Sequence, residues 1–86
     1  MAVIDQLLQE REKTHGDFRN QARVSQSLKG LARIELGYSR LNETQRETLD
    51  HIFTKIGRIL AGNPECKDHW DDIAGYATLI SKQCER

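Results

Sequence analysis

The residues of this chain best suited to chemistry are carboxylates at helical spacing. Asp68, Asp71 and Asp72 fall within five positions, and Asp68 and Asp72, four apart, share one face of a helix. Glu47 and Asp50 sit three apart in the preceding apolar-periodic segment. Carboxylates converging from two packed helices form an oxygen-rich site suited to Mg²⁺ or Mn²⁺. Acids in a first turn also complement the positive end of a helix dipole, so spacing alone leaves both readings open.

A basic stripe accompanies them. His51, Lys55 and Arg58 follow one another at intervals of four and three and border the apolar face of their helix. Two cations beside clustered acids suit a phosphate chain whose metal is carried by the carboxylates. They suit salt bridges to Asp68 or Asp72 equally well. Gly57 and Gly75 lie inside helical segments, where glycine costs about 1 kcal/mol relative to alanine. Such a cost points to close backbone approach, between the third and fourth helices or to a bound ring. Tyr76, next to Gly75, is placed to stack on a base or to close a bundle edge.

Charge segregates in one other place. Arg19, Arg23, Lys29 and Arg33 lie roughly along one helix face, and residues 19–40 hold five basic side chains against one acidic. A face of this kind tracks a nucleic-acid backbone, docks a partner protein, or is simply solvated. No nucleophile–base set and no phosphate-cradling glycine loop is present. A zinc site starting at Cys66 and His69 has no further ligands at paired spacing.

Four helices must position these groups. The first, about 2–13, carries Val3, Ile4, Leu7 and Leu8 on one face and stops at Gly16, with Asp17 as cap for the next. The second, about 18–35, turns Phe18, Ala22, Leu28 and Leu31 inward, and Gly37-Tyr38-Ser39 reads as a loop. The third, about 42–61, opens with an Asn42/Gln45 capping box and repeats Leu49, Ile52, Phe53, Ile56, Ile59 and Leu60 at helical spacing. Gly62-Asn63-Pro64 ends it. The fourth, about 68–83, carries Trp70, Ile73, Ala77 and Ile80. The short connection between the last two makes them a central antiparallel pair. The expected architecture is therefore a single all-α domain over 1–86, a small bundle of about four helices.

Composition sets the outer bounds. The chain has 86 residues, with 13 Lys+Arg against 13 Asp+Glu and a formal net charge of zero. That balance argues against a partner held by bulk charge. No apolar run approaches the ~18 residues of a membrane span, and no signal-peptide stretch opens the chain. Cys66 and Cys84, about 27 Å apart if they bracket one helix, are too distant for a disulfide and fit a reducing cytoplasm. A chain this short buries only about 60% of its unfolded surface, which favours a homo-oligomer.

Three stretches together resemble a group of small phage and prophage proteins: Glu10 to Phe18 (EREKTHGDF), Lys55 to Leu60 (KIGRIL) and Asp68 to Ala77 (DHWDDIAGYA). That group is similar, more distantly, to the all-α nucleoside triphosphate pyrophosphohydrolases of the MazG-like type. The resemblance spans residues 9 to 80 and implies Mg²⁺-dependent handling of a nucleoside triphosphate. In those enzymes a Glu-x-x-Glu pair and a Glu-x-x-Asp pair on successive helices hold the metal. Here Glu47 and Asp50 match the first pair, and Asp68 and Asp71 the second. An alternative register places Asp72 last, with His69 where the enzymes have glutamate, and matches the following Ile-Ala-Gly-Tyr better. The resemblance further implies phosphate contacts from Lys55 and Arg58, and closure over the nucleotide by His15 and Asp17, with Tyr76 placed to stack on its base.

Overall fold

The computed structural model describes residues 2–84. Among them are four α-helices: α1 (Ala2–His15), α2 (Phe18–Ile34), α3 (Glu43–Ala61) and α4 (Lys67–Gln83). The expected all-α bundle is the observed fold. None of these helices is long and apolar enough to cross a membrane. Each boundary has a local cause. Gly16 adopts φ +78°, a left-handed conformation that glycine reaches without steric cost, and ends α1. The Asp17 carboxylate then accepts the Arg19 N–H at 3.2 Å and starts α2. The capping box at α3 is reciprocal: Asn42 Oδ1 accepts the Gln45 N–H at 2.8 Å, and Gln45 Oε1 accepts the Asn42 N–H at 3.0 Å. The expected loop at Gly37–Ser39 is instead part of a 3₁₀ helix, Leu36–Arg40. Tyr38 anchors that turn, since the Arg46 guanidinium stacks over its ring at 4.8 Å and Arg46 Nη2 donates to its carbonyl at 3.4 Å.

The α3 helix is the axis of the molecule. It packs against α2 on one side and α4 on the other. Both neighbours run antiparallel to it, as cross-helix pairs show: Arg33 meets Asp50 across α2–α3, and Lys55 meets Asp72 across α3–α4. Cys66 and Cys84 stand at opposite ends of α4, both as free thiols.

The buried centre is smaller and more polar than the apolar pattern suggests. Ile59 is the one buried hydrophobic among the described residues, and Gln21, Ser25 and His69 are buried as well. The inward face of α2 needs correction accordingly. Leu28 and Ala22 are half-buried, but Phe18 and Leu31 are exposed. The cause is Gly57. A Cβ built there would lie 2.8 Å from the Gln21 carbonyl oxygen and 3.3 Å from Ser25 Cβ. The two backbones cross at that point, so the contact face of α2 is drawn by Gln21, Ser25 and Leu28. Leu31 lies about 80° around the helix from Gln21, off that face. Phe18, at the first position of α2, precedes the crossing. The close approach at Gly57 is therefore to α2, not to α4, while Gly75 has nothing within 4 Å of a built Cβ.

Three other apolar expectations are also corrected. Leu60 and Trp70 are exposed. Trp70 folds back over the α3–α4 turn, its indole N–H donating to the Pro64 carbonyl at 2.7 Å. The apolar stripe of α1 faces solvent too, because only the last turns of that helix meet the body.

The two helical glycines should respond oppositely to alanine. Gly57→Ala forces α2 and α3 apart and should cost about 1–3 kcal/mol. Gly75→Ala meets open space and should stabilise the fold by about 0.5–1 kcal/mol. Urea midpoints of the two variants, compared with the parent chain, measure both signs.

Candidate functional site

At one end of the bundle the α1–α2 turn meets the α3–α4 turn, backbone on backbone. A Cβ on Gly16 would collide with the Ala61 carbonyl, and one on Gly62 would lie 2.4 Å from the His15 carbonyl carbon. Only glycine permits this contact at both positions. The Thr14 carbonyl sits inside it and accepts two hydrogen bonds, from the Asn63 N–H at 3.0 Å and from His69 Nε2–H at 3.0 Å. His69, 2% exposed, owes its burial to that bond. The Thr14 hydroxyl donates to the Arg11 carbonyl at 3.1 Å. With its one proton so used, it accepts from His15 Nδ1–H at 2.6 Å. The His15 and His69 rings meet edge to face at 4.8 Å.

This clasp gathers positive charge. Lys55, whose side chain is only 14% exposed, donates to Asp72 across the α3–α4 seam at 2.8 Å. That hydrogen bond and the Lys55 charge hold the Asp72 carboxyl below the usual carboxylate range, helped by Arg58. Arg58 is depressed by burial and by Arg11 nearby, against the opposing pull of Asp72 and Tyr76. Its Nε is buried without a hydrogen-bond partner. Burial, followed by the charges of Arg58, Arg11, His69 and Lys55, lowers His15 to about 4. Lys55 and Arg58 therefore share one carboxylate, and Arg11 adds a third permanent cation close to Arg58, in a corner where water is partly excluded. Such a corner favours a multivalent anion.

The acidic residues are distributed differently from the spacing argument. Asp72 pairs with Lys55, and Asp71 with Lys67 at 2.6 Å within α4. Asp50 turns toward α2, 3.9 Å from Arg33, and Glu47 lies 3.8 Å from His51. With Lys55 opposite Asp72, Glu47 falls about 18 Å along the bundle from Asp68 at 1.5 Å per residue. Among the described residues no three His, Cys, Asp or Glu side chains converge as a metal site. A cage built from all five carboxylates thus does not form within one chain. Mg²⁺ bound to phosphates needs only one or two protein carboxylates, and Asp68 and Asp72, on one face beside Lys55, fit that smaller role.

The remaining candidates divide between the clasp and its margins. His15 belongs to the clasp. Asp17 is exposed and occupied as the cap of α2. Tyr76 stacks on His51, ring centroids 4.7 Å apart and planes 5° from parallel, next to the space left open by Gly75. On α2, Arg19 and Arg23 are exposed, whereas Arg33 turns toward Asp50. Thr14 and Arg11 escaped notice in the sequence, because the first acts through its carbonyl and the second meets Arg58 only in three dimensions, while His69, considered there as a metal ligand, is bonded to the Thr14 carbonyl.

The depressed His15 has a consequence for stability. The unfolded chain takes up a proton near pH 6.5, while folded His15 resists it until about pH 4. Stability should therefore fall as pH drops through that window, and His15→Asn should flatten this part of the profile. Urea denaturation at half-unit pH steps reads the slope directly. Comparison of the chain with family models, curated proteins and solved structures gives no match.

Proposed function

We propose that this chain binds a nucleoside triphosphate with its Mg²⁺, holding the phosphates at the cation-rich end of the bundle. The observation that carries the reading is Arg58: a half-buried guanidinium with no ion pair at hydrogen-bond distance among the described residues, close enough to Arg11 and Asp72 to feel both charges. A phosphate oxygen on the accessible part of the guanidinium would offset the repulsion between Arg58 and Arg11. Lys55 would then divide its charge between Asp72 and phosphate. The base would lie against the exposed side of Tyr76, in the depression beside Gly75, where the His51 stack holds the ring in place.

Mg²⁺, or Mn²⁺ in its place, would be held by Asp72 and Asp68 together with the phosphates, and would neutralise charge and acidify a bound water. The reaction consistent with the MazG-like resemblance is hydrolysis between the α and β phosphates, giving monophosphate and pyrophosphate. In this reading the protein works in the cytoplasm of a bacterial host and is of phage or prophage origin. Arg19 and Arg23 support a second reading, a non-catalytic protein whose exposed basic face binds a host protein or nucleic acid.

A panel of ribo- and deoxyribonucleoside triphosphates, assayed by calorimetry and by chromatography of products with Mg²⁺ or Mn²⁺, separates these readings. Triphosphate should bind more tightly than the corresponding monophosphate, and Arg58→Gln should weaken it about tenfold or more, consistent with loss of a charge-assisted contact. Asp72→Asn should abolish monophosphate and pyrophosphate release. Triphosphates that neither bind nor turn over would transfer the case to the basic face of α2, where Arg19→Gln with Arg23→Gln should abolish partner capture.

A further inference from the structure

A single copy of this chain leaves too much apolar surface uncovered for its size. Its accessible surface is 6510 Å², whereas a folded monomer of this mass exposes about 5,200 Å². The excess, about 1,300 Å², exceeds the ~800 Å² per partner of a standard protein interface. Shape tells the same story. The radius of gyration is 14.9 Å, against about 12 Å for a compact chain of this length.

The excess has an address. The longest extent of the molecule is 50 Å, which is about the sum of α3, near 28 Å, and α1, near 21 Å, at 1.5 Å per residue. The α1 helix is thus an arm that leaves the body beyond the clasp. Its apolar residues Val3, Ile4, Leu7 and Leu8 are 71%, 47%, 60% and 58% exposed. At the opposite end of the body, a groove runs between α3 and α4, lined mainly by Leu41, Leu49, Ile52, Ala77 and Ile80, and its exposed surface is almost wholly apolar. One chain therefore carries both an unpartnered apolar helix and an unpartnered apolar groove.

We infer that two copies of this chain exchange arms, the Val3–Leu8 stripe of each α1 lying in the α3–α4 groove of the other. The dimensions permit closure. Two antiparallel copies offset by about the 21 Å of an arm place each arm along the far half of the other body, around one two-fold axis. Reciprocal docking uses both surfaces on both copies, so the assembly ends at two. The packing is that of an amphipathic helix in a groove, read through anchors at i, i+4 and i+5. It covers the apolar excess without drawing on the nucleotide reading.

Sedimentation velocity tests the pairing on the intact chain. The expected species has twice the 9.9 kDa of one chain. Leu7→Lys on the arm and Ala77→Glu in the groove should each yield monomers of unchanged helicity by circular dichroism. Ile34→Lys, at an exposed site outside both surfaces, should remain dimeric. A second measurement does not depend on the charged variants folding. In a Cys66→Ser, Cys84→Ser background, Leu7→Cys with Ala77→Cys should give on oxidation an interchain link between positions 7 and 77, found by peptide mapping. A monomeric parent chain overturns the inference, whatever else the groove binds. A dimer that survives both charged substitutions, or one linked only through 7–7, overturns the arm exchange.

Discussion

The structure depends on a contact between two turns that no side chain could enter. Gly16 and Gly62 let the α1–α2 and α3–α4 connections touch through their backbones, and the Thr14 carbonyl ties them with two hydrogen bonds. That contact fixes the origin of α2 relative to α3, and Gly57 sets the crossing a few turns later. With both positions fixed, α2 has to present Gln21 and Ser25 to α3 rather than its bulkier residues. At the crossing the Ser25 and Thr54 hydroxyls pair across the two helices, 3.4 Å apart. The fold is held less by a wide apolar core than by close backbone packing.

The same contact concentrates charge. Because the turns meet so closely, Arg11 from α1 and Lys55 and Arg58 from α3 are all brought within electrostatic reach of the His15 imidazole, and Arg11 and Arg58 of each other. Among the described residues, only Asp72 answers them with an ion pair at hydrogen-bond distance. Repulsion of this kind is costly in a partly dehydrated corner. A chain with zero formal net charge thus carries a local positive field, which its overall composition conceals. This separation of local from global charge is the physical basis for placing an anion here.

Much of the architecture was legible because it is local. Helix starts and stops follow from Gly16, Asp17, Asn42 with Gln45, and Gly62-Asn63-Pro64, whose side chains and backbone act within a few residues. The Lys55–Asp72 bridge was legible as one of two alternatives, since antiparallel pairing of α3 and α4 already brought the two residues to similar heights. The inward face of α2 was not legible, since an apolar pattern cannot reveal that a glycine on another helix selects the contact. The acidic cluster was misread in a similar way. Spacing places Glu47 and Asp50 on a helix adjoining Asp68 and Asp71, but not the register, which separates them along the axis, nor the direction, which turns Asp50 toward α2. His15 and His69 belong to the clasp through Thr14, one bonded to its hydroxyl and the other to its carbonyl, and no sequence pattern marks that pairing.

The central claim is that the clasp presents an anion site built around Arg58. The most direct measurement follows the Arg58 Nε–Hε resonance by nuclear magnetic resonance while inorganic tripolyphosphate is added to the intact protein without metal. The account expects that resonance to shift saturably together with the amides of Lys55 and His15, while Arg19 and Arg23 stay unchanged. Saturable shifts confined to Arg19 and Arg23, or none at Arg58, would contradict it.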